Sequence, residues 1–233
     1  MAQDPSAPAS SPCLAIVVDD LGNDPRALER LLKISEPFAG SVLPELPKSR
    51  ETALLLRQAG KEVLLHLPME PLDPRMNPGP GLIRDSMSAE QVESALAADL
   101  ESVPGADGVN NHMGSKGTAD RRTVSALLAA LSRRRLFFLD SRTTGSTVVQ
   151  EEGARLRVPV FSRDVFLDDV PDEPSIERQF DSAEAAARKD GAAVAIGHPH
   201  SATLDVLERR LPKLRERGLT ACRVSETRPS PLP

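Results

Sequence analysis

The chain has 233 residues, of which 39% are hydrophobic and 27% charged, so it can bury a sizeable core and has the length of a single α/β barrel. Its net charge of −5 argues against nucleic acid or an anionic membrane as a partner, because phosphate binding needs a concentrated basic surface. No segment approaches the ~18 consecutive apolar residues of a membrane span, so we expect no integral membrane segment.

The two ends of the chain are predicted to lie outside the folded domain. Residues 1–12 are rich in proline, alanine and serine, which is typical of a disordered linker, and residues 227–233 form a proline-rich tail. Residues 13–226 remain as a single domain. The N-terminal segment lacks the hydrophobic centre of a signal peptide. It is compatible with what remains after removal of an export signal or an anchor, and a native cytosolic tail is the alternative.

Short apolar segments alternate with helical segments along the domain. Asp24 and Pro25 mark the start of the first helix, Ser88 begins a capping box, and Thr118 and Ser201 are predicted N-caps of two later helices. The predicted strands are, in chain order, 14–20, 38–43, 61–66, 107–111, 136–140, 158–161, 192–198 and 219–224. The predicted helices are 25–35, 47–60, 89–102, 119–134, 174–191 and 201–218.

This alternation predicts a parallel sheet with helices outside it. Seven or eight βα units in 233 residues favour an irregular or incompletely closed (β/α) barrel. An open, doubly wound sheet is the alternative, although the chain has no glycine-rich nucleotide-binding loop that would favour it. The Pro- and Gly-rich loop at 67–87 is long enough to suggest a functional role, and the connection 146–156 carries no clear element.

Polar residues collect where the predicted strands end. In a parallel barrel all these ends open on one face, where active sites lie. The strand ends therefore bring all four histidines of the chain to one rim, together with two adjacent aspartates. The strand-end residues are Asp19-Asp20, His66, Asn110-Asn111-His112, Asp140-Ser141-Arg142, Arg163-Asp164 and His198-Pro199-His200.

Histidine and aspartate on one rim suit a divalent metal such as Zn²⁺ with one position left open for water. Adjacent residues of a strand point to different sides, so one aspartate could bind the metal while the other acts as a general base. A histidine from the opposite strand could protonate the leaving group. Ser141 and Ser162 have no evident histidine partner, so we expect no serine nucleophile.

The two cysteines, Cys13 and Cys222, precede the first predicted strand and lie in the last one. If the sheet closes, these strands are neighbours and a disulfide is possible. Two unpaired thiols are the alternative.

Five segments of the sequence, in this order, resemble the divergent polysaccharide deacetylase family, a distant relative of the NodB-type carbohydrate esterases. They are IVVDDLG, LLHLPMEP, GVNNHMGS, FLDSRTT and AIGHPHSAT, within a resemblance that covers residues 14 to about 225. The resemblance implies a NodB-like irregular barrel and an exported or envelope protein of bacteria, in the periplasm or at the cell envelope.

The resemblance also implies roles for rim residues. Asp19 matches the family's base and Asp20 its metal ligand, while His66 matches the first of its two ligand histidines. The second ligand histidine is replaced by Glu70 in this chain, so either His112 from the next strand or Glu70 would complete the site.

The remaining roles go to the other strand ends. His198 or His200 would be the acid. Arg142 and Arg163 would orient Asp19 or bind the transition state. The polar residues predicted to contact a glycan substrate are Asn110, Asn111 and Asp140.

Three functions fit this pattern. The first is a metal-dependent hydrolase, with zinc as the expected metal, that removes acetyl groups from an envelope glycan. The second is a non-catalytic glycan-binding or scaffold protein that keeps the fold, favoured by the missing histidine. The third is another metal hydrolase, such as a phosphoesterase, since two arginines would suit phosphate. The scarcity of aromatic residues, six Phe with no Trp or Tyr, argues against sugar stacking.

Overall fold

The structure, a computed structural model, describes residues 11–227. The strands are β1 Cys13–Leu21, β2 Ala39–Val42, β3 Glu62–Met69, β4 Gly108–Met113, β5 Phe137–Asp140, β6 Val160–Ser162, β7 Val165–Phe166, β8 Ala192–Gly197 and β9 Thr220–Cys222. The α-helices are α1 Pro25–Leu31, α2 Ser49–Gln58, α3 Ala89–Ser102, α4 Arg121–Arg134, α5 Val149–Leu156, α6 Glu173–Asp190 and α7 Ser201–Arg210.

The strands form one parallel sheet in the order β6-β5-β4-β3-β2-β1-β8-β7, with β9 beside the start of β1. The strands at the two ends of this order, β6 and β7, are separated in the chain only by Arg163 and Asp164. The sheet therefore curls until a two-residue link joins its edges. This confirms the predicted irregular α/β barrel in a single domain and excludes the open, doubly wound alternative.

Two apolar clusters hold the barrel together. The larger one packs the helices against the outer face of the strands. The smaller one fills the barrel interior, because side chains on one face of a curled sheet converge. Its members are Ala15, Val17, Ala39, Leu64, Phe137, Leu139, Phe161, Val194, Ile196, Cys222 and Val224.

Two predicted helix starts are confirmed and two are wrong. Asp24 caps α1 and Ser88 caps α3 through a capping box. Thr118 is not the N-cap of α4, because its hydroxyl donates to Gly114 O, and Asp120 caps the helix instead. Ser201 is the first residue of α7 rather than its cap.

One helix and one strand were missing from the predicted elements. The helix α5 occupies the connection 146–156, but it has no side-chain N-cap and contains Gly153, where a Cβ would collide with Val160. The strand β7 has only two residues, which is too short for a period-two pattern to be visible. Both elements depend on tertiary contacts.

A disulfide joins Cys13 to Cys222, with their Cα atoms 5.8 Å apart. The alternative of two unpaired thiols is therefore wrong. The pairing of Cys13 with Thr220 and of Ala15 with Cys222 brings the two cysteines side by side on β1 and β9. The bond ties the first strand of the domain to the last, 209 residues away.

Most of the predicted linker and tail, residues 1–10 and 228–233, lies outside the described residues. Within residues 11–227, no helix combines the length and apolar character needed to cross a membrane.

Candidate active site

The polar residues at the barrel mouth continue the interior face of the strands. Asp19, His66 and His198 each lie two residues beyond a member of the interior cluster on the same strand. Because side chains alternate between faces, these three emerge from the apolar interior at its open end. Parallel pairing brings Val18 level with Gly197, so Asp19 and His198 follow side by side.

Asp20 reaches the same place through an irregularity in β1. The register of β1 against β2 shifts between Val18 and Leu21, and Asp20 has a left-handed backbone with φ 56°. Both carboxylates consequently face His66, whose Nε2 lies 3.2 Å from Asp20 Oδ1 and 3.6 Å from Asp19 Oδ2. The expectation that the two aspartates point to different sides is therefore wrong, because the regular alternation holds through Asp19 and is broken at Asp20.

Asp20, His66 and His112 form a compact triangle of potential metal ligands. Asp20 Oδ1 lies 3.0 Å from His112 Nδ1 and 3.2 Å from His66 Nε2, and the two nitrogens are 3.1 Å apart. At zinc–ligand distances of about 2.0–2.1 Å, tetrahedral geometry places neighbouring ligand atoms about 3.3–3.4 Å apart. The three atoms fit one face of such a tetrahedron.

A second observation supports the fit. Asp20 Oδ1 is buried and has no hydrogen-bond donor among the described residues. A buried carboxylate oxygen without a donor is the kind of atom that a cation would satisfy.

Asn110 fixes the orientation of His66. Its side-chain Oδ1 lies 2.9 Å from His66 Nδ1 and also accepts from the Ser41 hydroxyl. Because an amide oxygen only accepts, His66 Nδ1 carries the hydrogen and Nε2 presents its lone pair to the triangle. The Asn110 Nδ2 atom donates to Asp19 Oδ1 at 2.9 Å, so one amide holds both Asp19 and His66.

Of the two candidate acids, His198 rather than His200 lies next to the aspartates. His198 Nε2 is 3.9 Å from Asp20 Oδ2, and His198 Nδ1 contacts Asp168 Oδ1 at 3.0 Å. His200 is exposed at the N-cap position of α7 and makes no capping bond. Burial would lower the pKa of His198, but the hydrogen bond and charge of Asp168 prevail and raise it to about 9.

The sequence analysis did not include Asp168. It is buried, and its Oδ2 accepts from His198 N and from the Thr203 hydroxyl, at 2.6 and 2.8 Å. Its only sequence signal is that an acidic pair, Asp168-Asp169, follows a short apolar segment. That segment was not recognised as β7.

A second group of potential ligand atoms comes from Asp168, His198 and His200. Both oxygens of Asp168 already accept hydrogen bonds, in contrast to Asp20 Oδ1. The triangle of Asp20, His66 and His112 is therefore the better cation site of the two.

Glu70, the alternative to His112, lies outside both groups. Its Oε1 accepts from Lys116 Nζ at 2.8 Å and its Oε2 from Asp85 N at 2.9 Å. These bonds fix the long loop after β3, in which Ile83 pairs with Met69. The described structure thus places His112, and not Glu70, beside Asp20 and His66.

The other residues predicted to bind substrate are buried. Asn111 accepts from Ser141 N at 2.9 Å, and its Nδ2 donates to Met113 O. Asp140 accepts from Arg142 N and from the Thr147 hydroxyl. Burial, the largest influence, raises the pKa of Asp140. Asn110 is also fully buried.

Neither Arg142 nor Arg163 bonds to Asp19, in contrast to one of the roles predicted for them. Arg163 donates to the carbonyl oxygens of Ser141 and Arg142, at 2.8 and 3.2 Å. Arg142 is exposed beside it, with φ 52°. Both arginines line a cleft that adjoins the site.

Known proteins resemble this chain over nearly its whole length. Residues 16–227 match the divergent polysaccharide deacetylase family. The chain is 39% identical over 209 residues to the uncharacterized protein YibQ of Escherichia coli (strain K12), an alignment covering 90% of this chain and 65% of that protein. It therefore spans less than two thirds of the length of that relative.

Two solved structures show the same fold. The uncharacterized protein ATU2773 from Agrobacterium tumefaciens C58 superposes with a TM-score of 0.87 at 23% identity, covering 95% of this chain and 91% of that one. The catalytic domain of a peptidoglycan N-acetylglucosamine deacetylase from Eubacterium rectale ATCC 33656 gives 0.53 at 14% identity, covering 99% and 96%. The barrel, the order of its motifs and the match over residues 16–227 show that this chain belongs to the divergent polysaccharide deacetylase family.

Proposed function

We propose that the protein is a metal-dependent hydrolase that removes acetyl groups from a bacterial envelope glycan. The observation that carries this proposal is the triangle of Asp20, His66 and His112, with a buried carboxylate oxygen that has no hydrogen-bond donor in the described chain. Membership of the deacetylase family supports the choice of an acetylated glycan as substrate.

Asp20, His66 and His112 would hold the cation, for which zinc is the best candidate because two imidazoles and one carboxylate suit it. When bound, the cation supplies Lewis-acid polarisation of the acetyl carbonyl and makes water more acidic. The hydrogen bond from His66 Nδ1 to Asn110 Oδ1 leaves the Nε2 lone pair of His66 available to the cation.

Asp19 is the proposed general base, which takes the proton from the attacking water. It is almost fully buried and lies 3.6 Å from His66 Nε2, next to the ligand atoms without being one of them. The hydrogen bond from Asn110 Nδ2 to Asp19 Oδ1 holds one carboxylate oxygen and leaves the other facing the site. Asn110 is thus a positioning residue for Asp19, rather than a substrate contact.

His198 is the proposed general acid, which protonates the leaving nitrogen or oxygen of the sugar. The Asp168 carboxylate fixes the imidazole through Nδ1, so Nε2 carries the transferable proton toward the site. Asp168 therefore has a positioning role. Asn111 and Asp140 support the loop after β5 through their bonds to Ser141 N, Arg142 N and the Thr147 hydroxyl.

The Cys13–Cys222 disulfide supports an oxidising, exported compartment such as the periplasm, since disulfides persist mainly there. The proposal accordingly places the enzyme at the cell envelope.

Release of acetate tests the proposal. Purified protein loaded with Zn²⁺ should release acetate from acetylated peptidoglycan fragments or chitooligosaccharides, and chelation should abolish the release until zinc is restored. Stoichiometric zinc without acetate release from any acetylated glycan would favour a different metal hydrolase. Protein that binds no metal would favour the scaffold function instead.

Because the proposed acid His198 must be protonated to act, we expect kcat to depend on pH. Its raised pKa keeps the acid form present below pH of about 9, so kcat should fall as pH rises through about 9. Asp168→Asn removes the carboxylate that raises the pKa of His198 against the effect of burial. The alkaline limb of the kcat–pH profile should therefore move to lower pH, and kcat at pH 8 should fall about ten-fold or more. Profiles of kcat against pH for both proteins, at equal metal content, measure this. A limb at the same pH in Asp168→Asn would remove Asp168 from the proposed role.

A further inference from the structure

A cleft of about 640 Å³ opens beside the proposed site, between the loop after β5 and α6, which contributes Gln179. Arg142, Arg163 and Phe166 line it, together with the acidic residues Asp164 and Asp169. A smaller cavity of about 330 Å³ shares Arg142, Arg163 and Asp164 with it. The cleft and the cavity both have the two guanidinium groups in their walls.

The two arginines are close together and lack a carboxylate partner. Within residues 11–227, no carboxylate forms an ion pair with either guanidinium, although α6 and α7 pair Arg209 and Arg210 with several acids. Asp164 is engaged elsewhere, because its Oδ2 accepts from Val194 N at 2.8 Å. Asp169 also lines the cleft but forms no ion pair with either arginine, so unpaired guanidinium N–H donors remain available to an anionic ligand.

Arg163 is held in place by the fold. It donates to two main-chain carbonyl oxygens, and its Cζ lies 5.0 Å from the centroid of the Phe166 ring. Burial first, and the charge of Arg142 second, lower the pKa of its guanidinium, while the charges of Asp140, Asp164 and Asp169 act in the opposite direction. The fold therefore holds the Arg163 guanidinium in one orientation at the cleft.

Phe166 connects this cleft to the proposed site. Its ring centroid is 5.4 Å from that of His198, so one phenyl ring contacts both the proposed acid and Arg163. All six phenylalanines lie in the described residues, and Phe166 is the one that is not buried. It is half-buried, so part of its ring is accessible at the cleft for contact with a sugar ring.

We propose that Arg142 and Arg163 form a subsite for an anionic group, a carboxylate or a phosphate, on the glycan substrate. A planar guanidinium binds either group through paired N–H donors, and the two arginines of the cleft wall have no carboxylate of the described residues in an ion pair with them. The enzyme would thereby select anionic glycans over neutral ones. The glycan identity rests on the proposed function, whereas anion binding does not.

Binding of matched oligosaccharides tests this subsite. The full chain carrying Asp19→Asn, loaded with zinc so that substrate is not consumed, is titrated in a calorimeter with three probes. These are fully N-acetylated chitotetraose, which is neutral, a tetrasaccharide containing N-acetylmuramic acid, which carries carboxylates, and a phosphorylated, fully N-acetylated chitotetraose. At least one anionic probe should bind about ten-fold or more tightly than chitotetraose, and the better probe identifies the source of the charge.

Arg142→Gln, made in the same background, should remove this preference by weakening the binding of the anionic probes to about the affinity of chitotetraose. Arg157→Gln is the matched control, because Arg157 is also exposed with a left-handed backbone, φ 56°, and lies outside this cleft. Equal affinity for the three probes, or a preference that survives Arg142→Gln, would overturn the subsite.

The binding results separate this inference from the proposed function. An anionic preference lost in Arg142→Gln, in a protein whose wild type releases no acetate, would keep the subsite and reject the deacetylase. Acetate release without any anionic preference in binding would keep the deacetylase and reject the subsite.

Discussion

Replacing His112 by alanine is expected to abolish stoichiometric zinc binding and, with it, acetate release. His112 Nδ1 is one of three ligand atoms and lies 3.0 Å from Asp20 Oδ1. Its removal would leave two protein ligands, fewer than the three of typical catalytic zinc sites. Mutation of a residue that hydrogen-bonds to a metal ligand usually lowers metal affinity by about 10–100-fold. Loss of the ligand His112 itself should lower the affinity for zinc by more than this. Metal analysis after dialysis and competition with a chromophoric chelator measure the loss.

His200→Ala is the matched control for this variant. His200 also lies at the barrel mouth, but it is exposed and is not part of the triangle with Asp20. It should retain full zinc content. A third variant, Glu70→Gln, tests the alternative ligand and should also retain zinc, because Glu70 bonds to Lys116 and Asp85 N instead. Normal zinc content in His112→Ala, with loss in Glu70→Gln, would reverse the assignment of the ligands.

Asp19→Asn is expected to keep the metal and lose turnover. The change removes the basic carboxylate without changing its size, and the loss of a general base typically lowers kcat by about 10²–10⁴-fold. The asparagine oxygen can still accept the hydrogen bond from Asn110 Nδ2 that Asp19 Oδ1 accepts now. The expected result is therefore a protein of normal stability and zinc content with a greatly reduced kcat.

Two measurements decide this prediction, kcat for acetate release and zinc bound per chain. Asp20→Asn provides the comparison, since Asp20 Oδ1 belongs to the triangle and its loss should remove both metal and activity. Loss of zinc in Asp19→Asn would make Asp19 a ligand, and unchanged kcat would exclude it as the base.

The differences between the two aspartates illustrate what a single sequence can establish. That Asp19 and His66 reach one rim follows from alternation along two strands in a parallel barrel, and both features are visible in the pattern of apolar residues. The position of Asp20 does not follow from that pattern. It depends on the register shift of β1 against β2 and on a left-handed backbone, which a period-two reading cannot anticipate.

The sequence predicted a helix start correctly only where the N-cap side chain accepts a hydrogen bond from an amide in the first turn of the helix. Asp24 and Ser88 bond to amides within three residues, so sequence alone located them. Thr118 had the right residue type, but it lies within the short 3-10 helix Gly117–Ala119 before α4, and its hydroxyl donates to Gly114 O. The N-cap position of α5 holds Val148, which has no capping side chain, and the helix is stabilised by packing against its neighbours.

The order of βα units, the barrel, the common rim of the histidines and the family could all be predicted from the sequence. Apolar periodicity and the order of motifs are visible along the chain without knowledge of tertiary contacts. Tertiary structure alone decided which side chains meet. It brought Asp168 behind His198, left His200 exposed, bonded Glu70 to Lys116 and joined Cys13 to Cys222. These contacts join residues far apart in the chain, and their distances depend on the closure of the barrel.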